Sequence, residues 1–361
     1  MIKNNLAKTI ALSLLIFAAT QIQATEKQWV TYEGKSGPGK GKHIVLIAGD
    51  EEYRSEEALP QLGKILSQHH GFKCTVLFSI NPKTGIIDPN FQGNTPGTEA
   101  LNDADLVIMS LRFRNPTDAQ MEPIDRYFKS GKPVIGLRTS THAFKFNGDS
   151  KWAHYSNGYG GEKKEFQGGF GRAVLGEKWI SHHGAHKSES TKGFVVASEK
   201  DNPILRGIND GDVWGPSDVY GVRLPLPGDS QPLVLGQVTL RNQKPTADDV
   251  LFGMRATDSK EKVGKNDPMM PVAWTKSYQF PGGVKGKAFN TTLGASTDLL
   301  EAGTRRLIVN AAYWCVSIAD KIPADGCKVD IVGDFKPTRF EFRRGNYWEE
   351  RKMMVSEHEL K

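Results

Sequence analysis

Four short apolar runs, each closed by a polar turn, constrain this chain more than any other feature of it. Ile44–Ala48, Lys73–Phe78, Leu106–Ser110 and Pro133–Leu137 are five or six residues long and almost unbroken in apolar character. Runs of this kind suit strands covered on both faces, as in parallel sheets. The segments between them have helical spacing. Ser55 can cap a helix carrying Leu59, Leu62, Ile65 and Leu66, with Gly71 at its C′ position. Thr117-Asp118-Ala119-Gln120 is a capping-box pattern ahead of Met121, Ile124, Tyr127 and Phe128. Pro123 removes a hydrogen bond from that second helix and can kink it, and Gly131 ends it. Strand, helix and strand repeated in this way predict an α/β fold with a parallel sheet and right-handed crossovers.

In such a sheet, ligands bind outside the carboxyl ends of the strands, where the strand order reverses. With the first and third strands flanking that point, three turns share one crevice: Asp50–Arg54, Arg112–Asn115 and Arg138–His142. Further along, residues 145–200 read as irregular and rich in Gly, Lys, His and aromatics. Leu233–Leu240, Val272–Gln279 and Lys287–Leu293 read as late strands, and Leu299–Ser317 as a closing helix. Residues 25–42 form a polar lead-in, 43–322 the α/β domain, and 323–361 an extended basic-aromatic tail. There is no internal repeat.

The amino terminus differs from the rest. Lys3 and Lys8 precede an apolar core, Ile10–Ala19, too short to cross a bilayer, and Ala24 offers a cleavage point. Residues 1–24 therefore read as a secretory signal peptide, with a secreted or periplasmic destination and no lipid anchor. Beyond it, no apolar stretch approaches the roughly 18 residues a membrane span needs.

The chain has 361 residues, 38% hydrophobic, enough for one large core or two modest ones. Its 47 Lys and Arg against 41 Asp and Glu give a net charge of +6 without any compact basic run, which argues against nucleic acid as a partner. Cys74, Cys315 and Cys327 are too few for a disulfide scaffold and fall in no zinc spacing. Export would permit one bridge, for which Cys315 and Cys327 are the closer pair. Cys74 reads as a small buried hydrophobe.

The candidate chemistry is concentrated in the crevice turns. Asp50, Glu51, Glu52 and Glu56 cluster in the first turn, where one or two can serve in proton transfer and the others can be solvated helix-start carboxylates. Arg54, Arg112, Arg114 and Arg138 come from three turns and offer donor forks for substrate oxygens or for the neighbouring acids. His142 lies in the strand-end turn, and His182, His183 and His186 form HHGAH. An HxxxH pair on a helix can hold a metal, but Gly184 argues against a helix, so no metal site is expected. Trp152, Tyr155, Tyr159 and Trp214 can stack on sugar rings or anchor loops. The glycine-rich run 158–171 follows no strand and is not a phosphate loop. No cofactor is named by these residues.

Taken in order, IVLIAGDEEYRSEEALP (44–60), PVIGLRTSTHAF (133–144), NPILRGI (202–208), SDVYGV (217–222), PVAWTKSY (271–278), KAFNTTLG (287–294) and RRLIVNAAYWC (305–315) resemble the trehalose-utilisation (ThuA-like) family. The resemblance implies a flavodoxin-like, mostly parallel sheet with helices on both faces, as in class I glutamine amidotransferases. It also implies a role in the breakdown of disaccharides, particularly sugars oxidised to the 3-keto form. Amidotransferases place a nucleophilic Cys where this chain has Arg138, and a His after the late strand where it reads Gly294-Ala295-Ser296. Arginine cannot act as that nucleophile, so glutaminase activity is excluded.

The expected proton-moving residues are Glu51, Glu52, His142 and His183; a glycine-rich stretch ahead of such a His in the family favours His182 or His183. The expected substrate-facing residues are Asp50, Tyr53, Arg54, Arg112, Arg138, Thr139, His182 and Asp218. Together they suggest an exported protein acting on a small carbohydrate, as a hydrolase or lyase/isomerase of a 3-keto sugar or glycoside. The alternative is a non-catalytic sugar-binding protein on the same fold.

Overall fold

The computed structural model describes residues 27–360, so the signal-peptide expectation for residues 1–24 lies outside the described residues. In chain order the main elements begin with β1 (Trp29–Tyr32), β2 (His43–Gly49), α1 (Ser55–His70), β3 (Lys73–Phe78), β4 (Leu106–Leu111), α2 (Asp118–Lys129) and β5 (Val134–Leu137). They continue with β6 (Ser181–His182), β7 (Glu189–Val195), β8 (Trp214–Gly215), β9 (Tyr220–Gly221), β10 (Gln231–Leu240), β11 (Met270–Tyr278) and β12 (Gly286–Thr291). Last come α3 (Ala302–Cys315) and α4 (Tyr347–Arg351).

Ten strands form one sheet in the order β1-β3-β2-β4-β5-β12-β11-β10-β7-β8. From β3 to β12 the pairing is parallel. That five-strand order is the flavodoxin-like one, with its switch point between β2 and β4. Beyond β12 the sheet continues antiparallel through β11, β10, β7 and β8, and β1 adds an antiparallel edge against β3.

Each parallel strand feeds two cores because successive side chains point to opposite faces. Along β2, Ile44 and Leu46 pack with Leu59, Leu62 and Ile65 of α1 and Leu307 and Ile308 of α3. Val45 and Ile47 face the other way, onto Met121, Ile124 and Phe128 of α2. All of these side chains are buried. Each such burial contributes about 1.5–3 kcal/mol, which is why the apolar runs specify the strands so strongly.

Several local expectations are corrected. Ser55 does not cap α1: it is the first helical residue, and its hydroxyl accepts from the Asp50 amide at 2.9 Å. The segment read as irregular contains β7, a strand whose buried positions Glu189, Ser190 and Thr191 are polar. The closing helix is broken into a 3₁₀ turn, Ser296–Leu300, and α3. All three cysteines are buried and free, so Cys315 and Cys327 are not bridged.

Candidate functional site

The turns after β2, β4, β5 and β12 meet at the carboxyl edge of the parallel half. Thr139, after β5, donates its hydroxyl hydrogen to Asp50, after β2. Ser296, after β12, donates its amide hydrogen to the Tyr53 carbonyl at 3.0 Å. Gly294 has φ 134°, and a Cβ there would lie 2.8 Å from Leu137 Cβ; only glycine lets the β5 and β12 turns approach this closely. The backbone is strained here as well. Arg54, Phe113 and Arg138, one in each of the first three turns, have φ of 59°, 50° and 44°. Lys187, beside His186, has φ 61°. Left-handed geometry costs a non-glycine residue roughly 1–2 kcal/mol, and such residues gather where a fold is shaped for function.

Arg138 lies at the centre of this edge, fully buried. Its Nη2 donates to Asp218 Oδ1 at 2.8 Å and to the Tyr53 hydroxyl at 3.0 Å. Nη1 donates to the carbonyls of Asp218 (2.6 Å) and Thr292 (2.8 Å). The guanidinium carbon lies 3.7 Å from the Tyr220 ring centroid and 4.5 Å from that of Tyr53. Arg138 thus holds Asp218 in place, its guanidinium buried and bonded within the protein where an open donor fork was expected. Asp298 fixes the same segment from below, accepting from Ser217 Oγ at 2.7 Å and from the Gly294 amide at 2.8 Å.

Asp218 gathers two histidines. His182 Nδ1 lies 2.7 Å from its Oδ2, and His186 Nδ1 lies 3.1 Å from its Oδ1. The other side of His186 faces Glu52: Nε2 is 3.2 Å from Oε1, within ion-pair distance but off the hydrogen-bond angle. Burial works to raise the Asp218 carboxyl, but Arg138 and the two imidazoles outweigh it and hold Asp218 well below the ordinary carboxylate range. Burial likewise opposes the ionisation of Glu52, which is nonetheless held below its ordinary value by His186, Arg112 and Arg138. His186 moves upward despite burial, because Asp218 and Glu52 favour its charged form.

Glu51 is held by two guanidiniums, Arg112 Nη1 on one oxygen and Arg114 Nη2 on the other, the latter at 2.6 Å. Burial pushes its carboxyl upward while the arginines oppose that shift. Arg114 is pinned further by the carbonyls of Pro89 and Arg112, both at 2.7 Å. Arg112 is the more exposed of the pair, its guanidinium packed between the rings of Phe113 and Phe342.

The remaining candidates divide by where their polar atoms point. Asp50 is buried and accepts from the amides of Glu52 (2.7 Å) and Tyr53 (3.0 Å) as well as from Thr139. Both oxygens are used in shaping the turn, so Asp50 and Thr139 are ties between loops. Arg54 donates to the Glu51 carbonyl at 2.6 Å and faces Glu56 and Trp348, away from the crevice. His142 lines the cleft but is buried among Phe113, Trp179 and Tyr220. Burial, then the charges of Arg112 and Arg138, push it far below the usual histidine range, so it is neutral. His183 is turned away, its ring bonded to the Lys265 carbonyl at 2.7 Å. β6 ends at His182, and the chain bends at His183, which leaves the two rings facing different partners.

A small cleft of about 50 Å³ is lined by Glu52, Arg112, Phe113, His142, Trp179, His182 and Tyr220. Beyond Arg112 an open groove of about 460 Å³ is lined by Glu51, Asn90, Gln92, Arg112, Phe342 and Arg344. A larger depression of about 750 Å³ runs along β1 beside the point where the described residues begin, and gathers none of the crevice residues. The expected ring-stacking aromatics lie elsewhere. Trp152 bonds Asp118 and Tyr155 bonds Asp125, each at 2.9 Å, while Trp214 is fully buried. The aromatics at the crevice are Phe113, Trp179 and Tyr220, with Phe340 and Phe342 from the tail. The sequence pattern singled out none of them, and His186 only as part of HHGAH.

No family model matches the chain, and no curated protein matches it. Among solved structures it is similar to a ThuA-like protein from Bacteroides uniformis ATCC 8492, 14% identical, with 79% of this chain and 96% of that one covered and a TM-score of 0.40. It is also similar to a ThuA-like protein from Parabacteroides merdae ATCC 43184, 15% identical, covering 84% and 98%, with a TM-score of 0.43. The α/β flavodoxin-like assignment stands on the strand order and pairing of the chain itself.

Proposed function

We propose that this is an exported protein whose crevice takes an oxidised carbohydrate and moves a proton beside its keto group. The observation that carries this reading is the meeting of Glu52, His182 and Arg112 on one cleft walled by Phe113, Trp179 and Tyr220. Aromatic faces suit the apolar faces of sugar rings, and amide and guanidinium donors suit hydroxyl and keto oxygens. The outer groove, with Asn90, Gln92 and Arg344, has room for a ring. The inner cleft as it stands has room for a few waters, so a reacting carbon enters it only as Trp179 or Arg112 shifts.

Glu52 is ionised and serves as the base that takes the proton from the carbon next to the carbonyl. The electron pair moves into the carbonyl oxygen, where Arg112 stabilises the resulting enolate. Return of the proton to the neighbouring carbon gives isomerisation. Expulsion of a β-glycosidic oxygen, protonated as it leaves, gives elimination. His182, held by Asp218 and partly exposed to solvent, is placed to hand protons to and from oxygen. Export is supported by the sequence pattern of residues 1–24.

The test is to incubate the mature chain with a panel of disaccharides and their 3-keto forms, following melting temperature and product together. Turnover of a keto sugar that falls at least about 100-fold in Glu52→Gln, in line with the usual contribution of a general base, supports the enzyme. A thermal shift without turnover supports a sugar-binding protein instead. Neither shift nor product with any sugar overturns the reading.

A further inference from the structure

His182, His186 and Asp218 bring two imidazoles and a carboxylate together at the mouth of the cleft. We propose that these three side chains form a binding site for a divalent transition-metal ion of the zinc class, with open coordination positions facing the cleft. One donor atom from each of the three lies within 4.8 Å of the others. The contacts already in place, 2.7 Å from His182 Nδ1 to Asp218 and 3.1 Å from His186 Nδ1, lie close to the edges of a coordination shell. Tetrahedral bonds of about 2.0–2.2 Å to nitrogen and oxygen put neighbouring ligand atoms about 3.3–3.6 Å apart, somewhat wider than these contacts. An ion entering here replaces two N–H···O hydrogen bonds with three metal bonds.

The surroundings suit such an ion in three respects. The opposite nitrogen of His186 lies 3.2 Å from Glu52, so a small turn of the ring brings it into the carboxylate–histidine arrangement that orients metal-bound imidazoles. Asp218 is oriented by Arg138 at 2.8 Å, which fixes the carboxylate. Because Arg138 carries a positive charge, it also keeps affinity below that of a closed structural site. His182 has 38% of its side chain exposed, leaving one side of the cluster open toward the cleft. Three protein ligands with an open side are the pattern of catalytic rather than structural sites, and two imidazoles with one carboxylate suit zinc, iron, cobalt or manganese. The HxxxH spacing works without a helix: β6 ends at His182, and the turn through Ala185, closed by bonds from the Ser188 and Glu189 amides, swings His186 back. The two rings come to 5.0 Å between centroids.

This proposal shares its crevice with the carbohydrate reading but does not depend on it, and it makes His182 a ligand, leaving Glu52 to move protons. The experiment therefore contains no sugar. The mature chain is stripped with chelator, dialysed and titrated with ZnCl₂ by calorimetry, and Co²⁺ is added in parallel to read its visible absorption. One-to-one saturable Zn²⁺ binding is expected, with intense Co²⁺ bands at low coordination number. His182→Ala and His186→Ala each weaken binding at least about 100-fold, and Glu52→Gln weakens it about 10–100-fold. His183→Ala, whose ring is bonded elsewhere, leaves binding unchanged and serves as the folded control. Absence of saturable binding to the wild type overturns the proposal. So does binding that survives both His182→Ala and His186→Ala while circular dichroism shows both variants folded.

Discussion

The parallel half of the sheet and the antiparallel half both reach the crevice, but they bring different things to it. From the parallel half come turns fixed by their own backbone: Asp50 closes on the amides that follow it, and three non-glycine residues are held at positive φ. From the segments around the antiparallel half come side chains, with His182 on the separate two-stranded β6–β9 sheet and His186 and Asp218 on connecting segments beside it. These cannot hold a position unaided. Arg138 supplies the missing rigidity by joining a strand-end turn of one half to Asp218 of the other. Shape is therefore fixed by the parallel half, while the chemistry is shared: Glu52 and Arg112 come from its turns, and His182, His186 and Asp218 from the other side.

The largest effect is expected at that joint. Arg138→Ala leaves Asp218 buried without its guanidinium, and loss of about 3–5 kcal/mol is expected in urea or guanidinium unfolding. A loss below about 1 kcal/mol would show that the halves are held together elsewhere. Within the parallel half alone, Glu51→Gln removes the charge clamped by Arg112 and Arg114. It should cost about 1.5–3 kcal/mol, the range for hydrogen bonds to charged groups, with the cluster around Asp218 undisturbed.

A pH experiment sharpens the contrast further. Burial pushes the Glu56 carboxyl up to about 7, against the opposing charge of Arg54. Its folded value lies above its unfolded one, so in that interval the folded state keeps a proton that the unfolded chain has lost. Glu56 therefore favours folding increasingly as pH falls from about 8 to about 5. Relative to Glu56→Gln, the wild type should gain stability over that window in denaturant titrations. A flat difference would show that Glu56 is not carrying the proton. The smallest effect is expected at the tail: Phe342→Ala removes one ring from the exposed side of Arg112 and should cost at most about 1 kcal/mol of stability.

The same division explains what could be read in advance. β2, β3, β4 and β5 are legible because fully buried strands leave an unmistakable apolar run, and the meeting of their turns follows from strand order alone. β7 is hidden because Glu189, Ser190 and Thr191 are buried by partners that no local pattern announces. His183, expected to move protons, is turned toward the Lys265 carbonyl while its neighbour His182 faces the cluster, and nothing in HHGAH itself says which of the two does so. Arg138 reads from the sequence as a crevice arginine, but its burial depends on Tyr53, Tyr220 and Asp218, residues far apart in sequence. The expected aromatics failed for a similar reason, since a tryptophan such as Trp214 serves the core as readily as a ligand.

The order in which the crevice is assembled follows from where its roof is encoded. Phe340 lies against Tyr53 and His186, and Phe342 against Arg112. Both stand later in the chain than every loop they cover, so the tail closes over acids and histidines that the rest of the fold has already brought together.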